Sequence, residues 1–241
     1  MGIIEFVNVS KVFKRNGAEH VVLKGINLKV ETGQFVCITG SSGCGKTTLL
    51  NLILGICPCT GGTVFVKGRA VNGINYECAA VFQDSSLFPW LTVAQNVEFG
   101  PKMRGIKGDG LGKISDEYLE MVGLRDCKDA FVHELSGGMK QRVALSRALA
   151  TGRDILIFDE PFSALDQQNR EAMQLELLSI KKNADKTIVM VTHSEDEAFL
   201  LGDRIIKLCP ETGNIGEDLL IKHENCGIPL REGFSNGETN S

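Results

Sequence analysis

The sequence predicts an α/β fold with a mostly parallel core sheet, an N-terminal antiparallel β part and a helical subdomain. Three observations support this fold class. Apolar strands alternate with helical segments in the second half of the chain, a glycine-rich loop joins an apolar strand to a helix near residue 40, and another apolar strand ends in two acids near residue 159. Alternating strands and helices form parallel sheets because each crossover places a helix on a sheet face.

The composition is that of a globular protein with one large domain or two small ones. Of the 241 residues, 43% are hydrophobic and 23% are charged, close to the usual averages. The net charge of -4 argues against a nucleic-acid binder that works by bulk positive charge. The apolar runs are far shorter than the ~18 residues of a spanning helix. We therefore expect a chain that is soluble by itself and reaches a membrane only through another protein.

The eight cysteines form no CxxC pair. Without a signal peptide, this usage favours free thiols in a reducing compartment. Cys57 and Cys59 are too close in sequence for a normal disulfide and have no histidine nearby, which makes a metal site there an unfavoured alternative.

The first half of the chain contains a β hairpin, then the strand, loop and helix around residue 40, then two more strands. Residues 14–17 read as a turn, and the helix after the loop runs from Lys46 to about Leu54. The predicted strands are residues 3–9, 21–30, 35–39, 63–66 and 78–82.

The second half begins with a helical, irregular stretch over residues 84–125. Four glycines are expected to break it, namely Gly105, Gly108, Gly110 and Gly112. The alternating series after it consists of helix 138–150, strand 155–158, helix 167–182, strand 187–192, helix 195–202 and strand 204–208. The polar, glycine-containing tail after Cys209 is expected to be loosely ordered at its end.

The glycine-rich loop predicts a nucleotide site. It reads Gly40-Ser41-Ser42-Gly43-Cys44-Gly45-Lys46-Thr47 and fits GxxxxGK[ST], between a strand and a helix as that motif requires. Glycines let backbone N–H groups wrap around a polyphosphate, and the helix N-terminus adds favourable partial charge. Lys46 is expected to reach the β- and γ-phosphates and Thr47 to hold Mg²⁺; Thr48 completes the predicted set. Kinases, GTPases, helicases and transport ATPases share this motif, so it does not specify the reaction.

Two acids follow the apolar strand 155–158. Asp159, at the strand end, is expected to complete the Mg²⁺ shell. Glu160 is placed to polarise a water for attack on the γ-phosphorus, which favours hydrolysis over transfer to another substrate. The alternative is a solvated acidic turn.

The segment Leu135-Ser136-Gly137-Gly138-Met139-Lys140-Gln141-Arg142 resembles the LSGGQ signature of the ATP-binding cassette (ABC) ATPases, with Met139 at the position of Gln. The resemblance implies a P-loop NTPase fold. It also implies that Ser136, Gly137 and Gly138 open a helix that binds the phosphate of a nucleotide held on a second subunit, so that two half-sites close around two ATPs.

Further positions match the same family in order and spacing. Gln83 resembles the glutamine that contacts Mg²⁺ or water and links to the membrane subunit. Asp166, in Ser163-Ala164-Leu165-Asp166, resembles the loop that crosses the dimer interface. His193 resembles the histidine that holds the γ-phosphate, and Phe13 the aromatic that stacks on adenine. The alternatives are a core phenylalanine, a core histidine and an ordinary surface amide at Gln83.

The resemblance covers about residues 3–208. It implies a single ABC ATPase domain over 1–208, with a helical subdomain at about 84–150, and a partly flexible C-terminal extension over 209–241. Residues 83–100 hold the chain's one tryptophan beside Leu87, Phe88, Pro89 and Leu91. Such a cluster suggests a docking surface, the alternative being packing within the helical subdomain.

The sequences of residues 87–93 and 191–198 most resemble those of the nitrate, sulfonate and taurine importer ATPases. That resemblance implies an ATP-hydrolysing importer subunit that uses ATP and Mg²⁺ at the cytoplasmic face of the cell membrane. The implied partners are a second copy or a paired ABC ATPase, integral membrane permease subunits and, indirectly, an extracytoplasmic substrate-binding protein; no nucleic acid is expected. An exporter ATPase, a non-transport ABC ATPase and a small-molecule kinase are the alternatives. The transported species is not encoded in this chain.

Overall fold

A computed structural model describes residues 2–15, 17–184, 186–223 and 229–233. The chain divides into two compact units. The first unit comprises residues 1–75 and 189–241, and the second unit comprises residues 76–188.

Strands form both ends of the described chain, and most of its helices lie between them. The strands are β1 (Ile4–Arg15), β2 (Ala18–Val30), β3 (Phe35–Thr39), β4 (Gly61–Val66), β5 (Arg69–Ala70), β6 (Cys78–Val81), β7 (Ile155–Asp159), β8 (Thr187–Val191), β9 (Arg204–Cys209), β10 (Asn214–His223) and β11 (Pro229–Gly233). The α-helices are α1 (Lys46–Ile53), α2 (Val93–Met103), α3 (Asp109–Met121), α4 (Gly137–Ala150), α5 (Gln167–Ala184) and α6 (Glu195–Leu201).

The first unit contains an antiparallel sheet of order β2-β1-β4-β5. Buried and exposed residues alternate along the second half of β2, which is the period-two pattern of a sheet with one face on a core. The register between β1 and β2 shifts between Phe6 and Val12. Such bulges bend a long strand, and they explain how β1 extends far beyond the predicted end at residue 9.

Parallel strands in the first unit place the glycine-rich loop. β3 and β9 run parallel, with Val36 to Thr39 aligned on Arg204 to Lys207. All five residues of β3 are buried, as expected for a strand covered on both faces. β10 pairs antiparallel with β9 and β11 with β10.

The second unit combines a parallel strand pair with packed helices. β6 and β7 run parallel, Cys78 to Val81 aligning on Ile155 to Phe158. Helix α2 packs against α3 and α4, and its contribution to the core includes the fully buried Val93 and Val97. A capping box at Thr92 and Gln95 fixes the start of α2.

The predicted elements are confirmed in order, with a few corrections. Gly110 and Gly112 lie inside α3 and do not break it; Gly110 is half-buried in the first turn, and Gly112 is exposed. Lys14 and Arg15 belong to β1, so the predicted turn at 14–17 is shorter. The tail forms β10 as far as residue 223, because it completes the hydrogen bonding of β9; residues 234–241 lie outside the described residues. Within the described ranges, no helix is both long and apolar enough to cross a membrane.

Candidate functional site

The glycine-rich loop lies between the carboxyl end of β3 and the start of α1. Gly40, Gly43 and Gly45 all have positive φ, at 144°, 79° and 104°, a conformation that glycine adopts at little cost. A Cβ at Gly40 would lie 2.7 Å from Cys44 Sγ and 2.9 Å from Leu208 O. The motif therefore has glycine at position 40 for a steric reason as well as a conformational one.

The start of α1 leaves backbone donors for a ligand. The N-cap residue Gly45 has no side chain to accept from the first N–H groups, which have no partner within a helix. Ser41, Ser42, Gly43 and Thr47 are exposed around this end. Backbone donors and the helix dipole together favour an anion such as a phosphate at this place.

Lys46 is folded back over the loop. Its side chain is almost entirely buried, at 5% exposure, and Nζ donates to Gly40 O at 2.8 Å and to Ser41 O at 3.0 Å. An ammonium has three N–H groups, and the third has no acceptor within the described part of the chain. The loop thus holds the Lys46 ammonium in place, with one N–H left to donate to an oxygen of a ligand. The neighbouring Cys44 is buried at 3% exposure, and Thr48 is half-buried.

Phe13 is a surface residue of β1, 41% exposed. The alternative of a core phenylalanine is therefore wrong. Lys11 Nζ lies 4.8 Å from the Phe13 ring centroid and donates to Pro58 O at 2.7 Å. This cation–π contact orients the ring.

His193 is exposed in the turn after β8, so the alternative of a core histidine is also wrong. Hydrogen bonds on both sides of it fix this turn. Thr192 Oγ1 donates to Glu197 Oε2 at 2.5 Å and accepts from the Ser194 N–H at 3.1 Å. Ser194 Oγ in turn accepts from the Glu197 N–H at 3.2 Å, which caps α6.

In the second unit, Asp159 is the last residue of β7 and Glu160 follows it. Asp159 is buried at 7% exposure, which does not fit a solvated turn. Glu160 is half-buried and has a φ of 50°, in the left-handed region that costs a non-glycine residue about 1–2 kcal/mol. Its carbonyl accepts from the N–H and the hydroxyl of Ser163 at 3.2 and 3.0 Å, which holds the turn in this conformation.

The signature segment opens α4. Ser136 is the N-cap, and its hydroxyl accepts from the Met139 N–H at 3.3 Å. A Cβ at Gly137 would meet nothing within 4 Å, whereas one at Gly138 would lie 3.3 Å from Leu165 Cδ2. Packing within the second unit therefore accounts for a small residue at 138 but not at 137.

Asp166 caps the next helix, α5. Its carboxylate accepts from the Asn169 N–H at 3.0 Å and from Asn169 Nδ2 at 2.6 Å. These hydrogen bonds to the ionised form lower the pKa of the Asp166 carboxyl. The side chain is exposed.

The segment after the exposed Gln83 is held by Arg147, a residue that sequence reasoning missed. Its guanidinium donates to Ser86 O at 2.9 Å and to Ser85 O at 3.2 Å and lies 5.5 Å from the Phe88 ring centroid. A second missed residue, Asn96, is fully buried and bonds to the backbone of Phe88. No local sequence signal identifies either residue, because their partners are in other segments.

The aromatic cluster of residues 87–91 is divided between surface and interior. Trp90 is 70% exposed, and its ring centroid lies 5.7 Å from that of the half-buried Phe88. Leu87 is buried, so local packing accounts for this residue but not for Trp90. Phe99, whose ring centroid lies 4.5 Å from that of Phe88, is 38% exposed and adds to this exposed apolar surface.

The predicted site residues are distributed over both units. The first unit carries Phe13, the loop 40–48 and His193, and the second unit carries Gln83, the segment 136–138, Asp159, Glu160 and Asp166. Across the described ranges, no cluster of three or more His, Cys, Asp or Glu side chains is arranged to hold a metal ion. Cys57 and Cys59 are half-buried thiols outside any disulfide.

Known proteins match both the sequence and the fold. The ABC transporter family matches residues 23–163. The taurine import ATP-binding protein TauB of Ruegeria pomeroyi is 41% identical over 96% of this chain and 88% of its own length. The nitrate import ATP-binding protein NrtD of Synechocystis sp. is 44% identical, over 90% of this chain and 82% of its own.

A solved structure extends the match to the fold. The dimeric ATP-binding cassette MJ0796, in a post-hydrolysis state bound to ADP and Pi, has a TM-score of 0.82 and 33% identity, covering 89% of this chain and 97% of that one. The resemblance drawn from the motifs and the predicted fold class are both confirmed. The chain is an ATPase cassette and belongs to the ABC transporter family.

Proposed function

We propose that this chain is the ATP-hydrolysing subunit of an importer for a small oxyanion such as nitrate, taurine or another sulfonate. The observation that carries the proposal is the geometry of the phosphate loop. The first backbone N–H groups of α1 have no side-chain cap, and the buried Lys46 has one unused N–H. These donors suit a polyphosphate. The named relatives, which match over more than four-fifths of their own lengths, support importer over exporter. The ATPase domain is residues 1–208, with a helical subdomain at about 84–150 and an extension over 209–241.

Nucleotide binding is assigned to the first unit. The backbone of Gly40, Ser41, Ser42, Gly43, Cys44 and Gly45 donates to the phosphates, and Thr47 and Thr48 complete the helix end. Lys46 donates its remaining N–H to the β- and γ-phosphates. Phe13 stacks on adenine with one face, because Lys11 already lies over its ring.

The proposed magnesium ligands are a hydroxyl, a carboxylate and an amide. Thr47 is exposed at the start of α1, Asp159 is a buried carboxylate at the end of β7 and Gln83 is an exposed amide; these are the oxygen donors that Mg²⁺ prefers. Mg²⁺ supplies charge neutralisation at the phosphate oxygens. The burial of Asp159 keeps this carboxylate fixed in position for such a role.

Hydrolysis is assigned to Glu160 and His193. The Glu160 carboxylate accepts the proton of the attacking water, and the left-handed turn fixed by Ser163 orients it. His193 donates to the γ-phosphate from a turn that Thr192 and Ser194 hold rigid. Gln83 orients the water beside the metal.

Completion of the site is assigned to a second cassette, either another copy of this chain or a paired ABC ATPase. Ser136, Gly137 and Gly138 start α4 and are placed to donate backbone N–H groups to the nucleotide of the other cassette. A Cβ on Gly137 would meet nothing within 4 Å, so a ligand has room to approach the backbone there. Asp166 lies in the loop expected to cross the dimer interface.

Coupling to transport is assigned to the exposed surface around Trp90, which docks an integral membrane permease at the cytoplasmic face of the cell membrane. An extracytoplasmic substrate-binding protein delivers the anion to that permease. Arg147, on the helix that Ser136 opens, holds residues 85 and 86. The signature helix and the docking segment therefore move as one piece, so closure of the dimer would move the docking surface.

The first test is phosphate release by the purified chain and by Glu160→Gln. We expect the variant to bind ATP with unchanged affinity, to lose hydrolysis and to accumulate as a dimer. Glu117→Gln, a change at an exposed acid of α3, serves as the control and should hydrolyse normally. Normal turnover by Glu160→Gln would remove the assignment of the general base.

The second test identifies partners by mass spectrometry after purification of the chain from detergent-solubilised membranes. A multi-span permease together with a substrate-binding protein supports the importer, and the ligand of that binding protein identifies the substrate. A permease alone contradicts import in favour of export. A chain without any membrane partner contradicts a transport function.

A further inference from the structure

A cavity in the first unit has no residue of the proposed nucleotide site in its lining. It encloses about 160 Å³ between α6 and the strands β3, β9 and β10. A cavity of about 150 Å³ in a protein interior is large enough for benzene. The space therefore suits a molecule with a body of about that size.

The sheet wall of the cavity has one polar row and one apolar row. In the polar row, Thr39 aligns with Lys207 and Lys207 with Glu217. In the apolar row, Ile205 aligns with Leu219, two positions along each strand and hence on the same face. Ala198 and Phe199 of α6 line the cavity as well, so its lining is polar at one end and apolar at the other.

Two polar groups in this lining have no partner. Thr39 is 97% buried, since its exposure is 3%, yet its hydroxyl makes no hydrogen bond to any residue that the structure describes. This hydroxyl is not among the fully enclosed side-chain atoms of the described chain that lack a hydrogen bond, and Thr39 lines the cavity, so the hydroxyl opens on it. Glu217 is exposed, and its carboxylate has no ion pair or hydrogen bond within the described ranges.

The charged residues of the lining indicate the charge of the ligand. Lys207 Nζ lies 3.3 Å from Glu195 Oε1, so this pair is close to neutral. Glu217 then remains as the unpaired negative charge of the polar row, which also holds the unsatisfied Thr39 hydroxyl on the other side of Lys207. We propose that this cavity binds a small organic cation, in which a primary ammonium donates to Glu217 and Thr39 while a compact hydrocarbon body packs on Ile205, Leu219 and Phe199.

The position of the cavity connects it to the phosphate loop. Thr39 directly precedes Gly40 in the chain. Leu208, the residue after Lys207, has its carbonyl oxygen 2.9 Å from the position that a Cβ on Gly40 would take. A ligand that joins Thr39 to β9 and β10 stiffens the base of the loop. Its occupancy therefore changes the affinity of the loop for nucleotide, and by linkage nucleotide changes its affinity. This coupling, unlike the binding itself, rests on the proposed function.

The test uses benzylamine as the probe and benzyl alcohol as its uncharged analogue. Binding to the nucleotide-free full chain is followed by ligand-observed NMR titration. We expect benzylamine to bind in preference to the alcohol, and Glu217→Gln to weaken it about fivefold, the size expected for an exposed ion pair. Thr39→Val should weaken it as well. Glu211→Gln, which changes an exposed acid in the turn before β10, should leave it unchanged.

Equal binding of amine and alcohol, unchanged binding by Glu217→Gln, or no binding at millimolar benzylamine would each overturn the proposed site. The coupling is measured separately, by titrating a non-hydrolysable ATP analogue with and without saturating benzylamine. A shift in nucleotide affinity that disappears in Glu217→Gln supports it, and no shift overturns it. A chain that binds benzylamine but no nucleotide would contradict the proposed function and leave the cation site standing.

Discussion

Replacing Asn96 by alanine should loosen the segment that carries Trp90 without affecting the phosphate loop. The Asn96 side chain is fully buried. Its Oδ1 accepts from the Phe88 N–H at 2.9 Å, and its Nδ2 donates to Thr92 O at 2.9 Å and to Phe88 O at 3.2 Å. One side chain thus fixes both ends of the loop from 88 to 92.

The size of the effect follows from which groups lose their only partner. Phe88 O keeps the Leu91 N–H at 3.1 Å, and Thr92 O keeps the Asn96 N–H at 2.9 Å. The Phe88 N–H has no such second partner within the described chain. A buried donor without an acceptor costs about 1–3 kcal/mol, and Phe88 is half-buried. We therefore expect a loss of about 2 kcal/mol, equivalent to a fall in Tm of about 4–8 °C for a chain of this size.

Differential scanning calorimetry of the purified chain measures this change. Gln95→Ala is the matched control. It removes an exposed hydrogen bond to the Thr92 N–H, for which the loss should stay below about 1 kcal/mol. A Tm of Asn96→Ala equal to that of the Gln95 variant would refute the reasoning. The nucleotide affinity should be unchanged, because the phosphate loop belongs to the other unit; a large change would show that the substitution acts more widely.

Three other predictions concern the loop, the docking segment and a helix cap. Lys46→Ala should weaken ATP about 10- to 100-fold in a fluorescent-nucleotide titration, because a charge-assisted hydrogen bond is lost; Lys24→Ala, at an exposed lysine, should not, and retained affinity would exclude the loop as the site. Arg147→Met should lower permease-stimulated ATPase activity more than basal activity, since residues 85 and 86 lose their donors; equal losses would contradict a coupling role. Asn169→Ala should raise the pKa of the Asp166 carboxyl toward its ordinary value, followed by ¹³C NMR titration.

The sign of the last effect follows from linkage. Because the pKa of Asp166 is lowered in the folded chain, its cap contributes stability above the unfolded pKa of about 3.9, and this contribution is lost as pH falls through the folded value. Asn169→Ala should therefore remove part of the stability difference between neutral and acidic pH. An unchanged titration would mean that other groups set this pKa.

The phosphate loop, the acids after β7 and the start of α4 could be predicted because each depends on adjacent residues. The glycines at 40, 43 and 45 meet a local backbone requirement, and Ser136 bonds three positions along the chain. Such requirements involve residues close together in the sequence, so the local geometry can be predicted without knowing the rest of the fold.

Features that depend on distant partners were not predictable. Arg147 bonds carbonyls that lie 61 and 62 positions earlier, and no pattern within α4 indicates them. Strand β10 was missed because its apolar residues are separated by glycine and acids, so its composition resembles that of a loop. Its pairing with β9 supplies the stability that its own sequence lacks.

The left-handed backbone at Glu160 has a consequence for how this chain can be improved. A residue held at a φ of 50° carries a conformational cost that glycine would relieve and asparagine would reduce. A library screened for heat resistance alone should therefore enrich Gly or Asn at 160 and discard the proposed catalytic base in the same step. Thermostabilisation of this cassette therefore needs a selection for ATP hydrolysis at every round. At position 160, the residue that would stabilise the fold most differs from the residue proposed as the catalytic base.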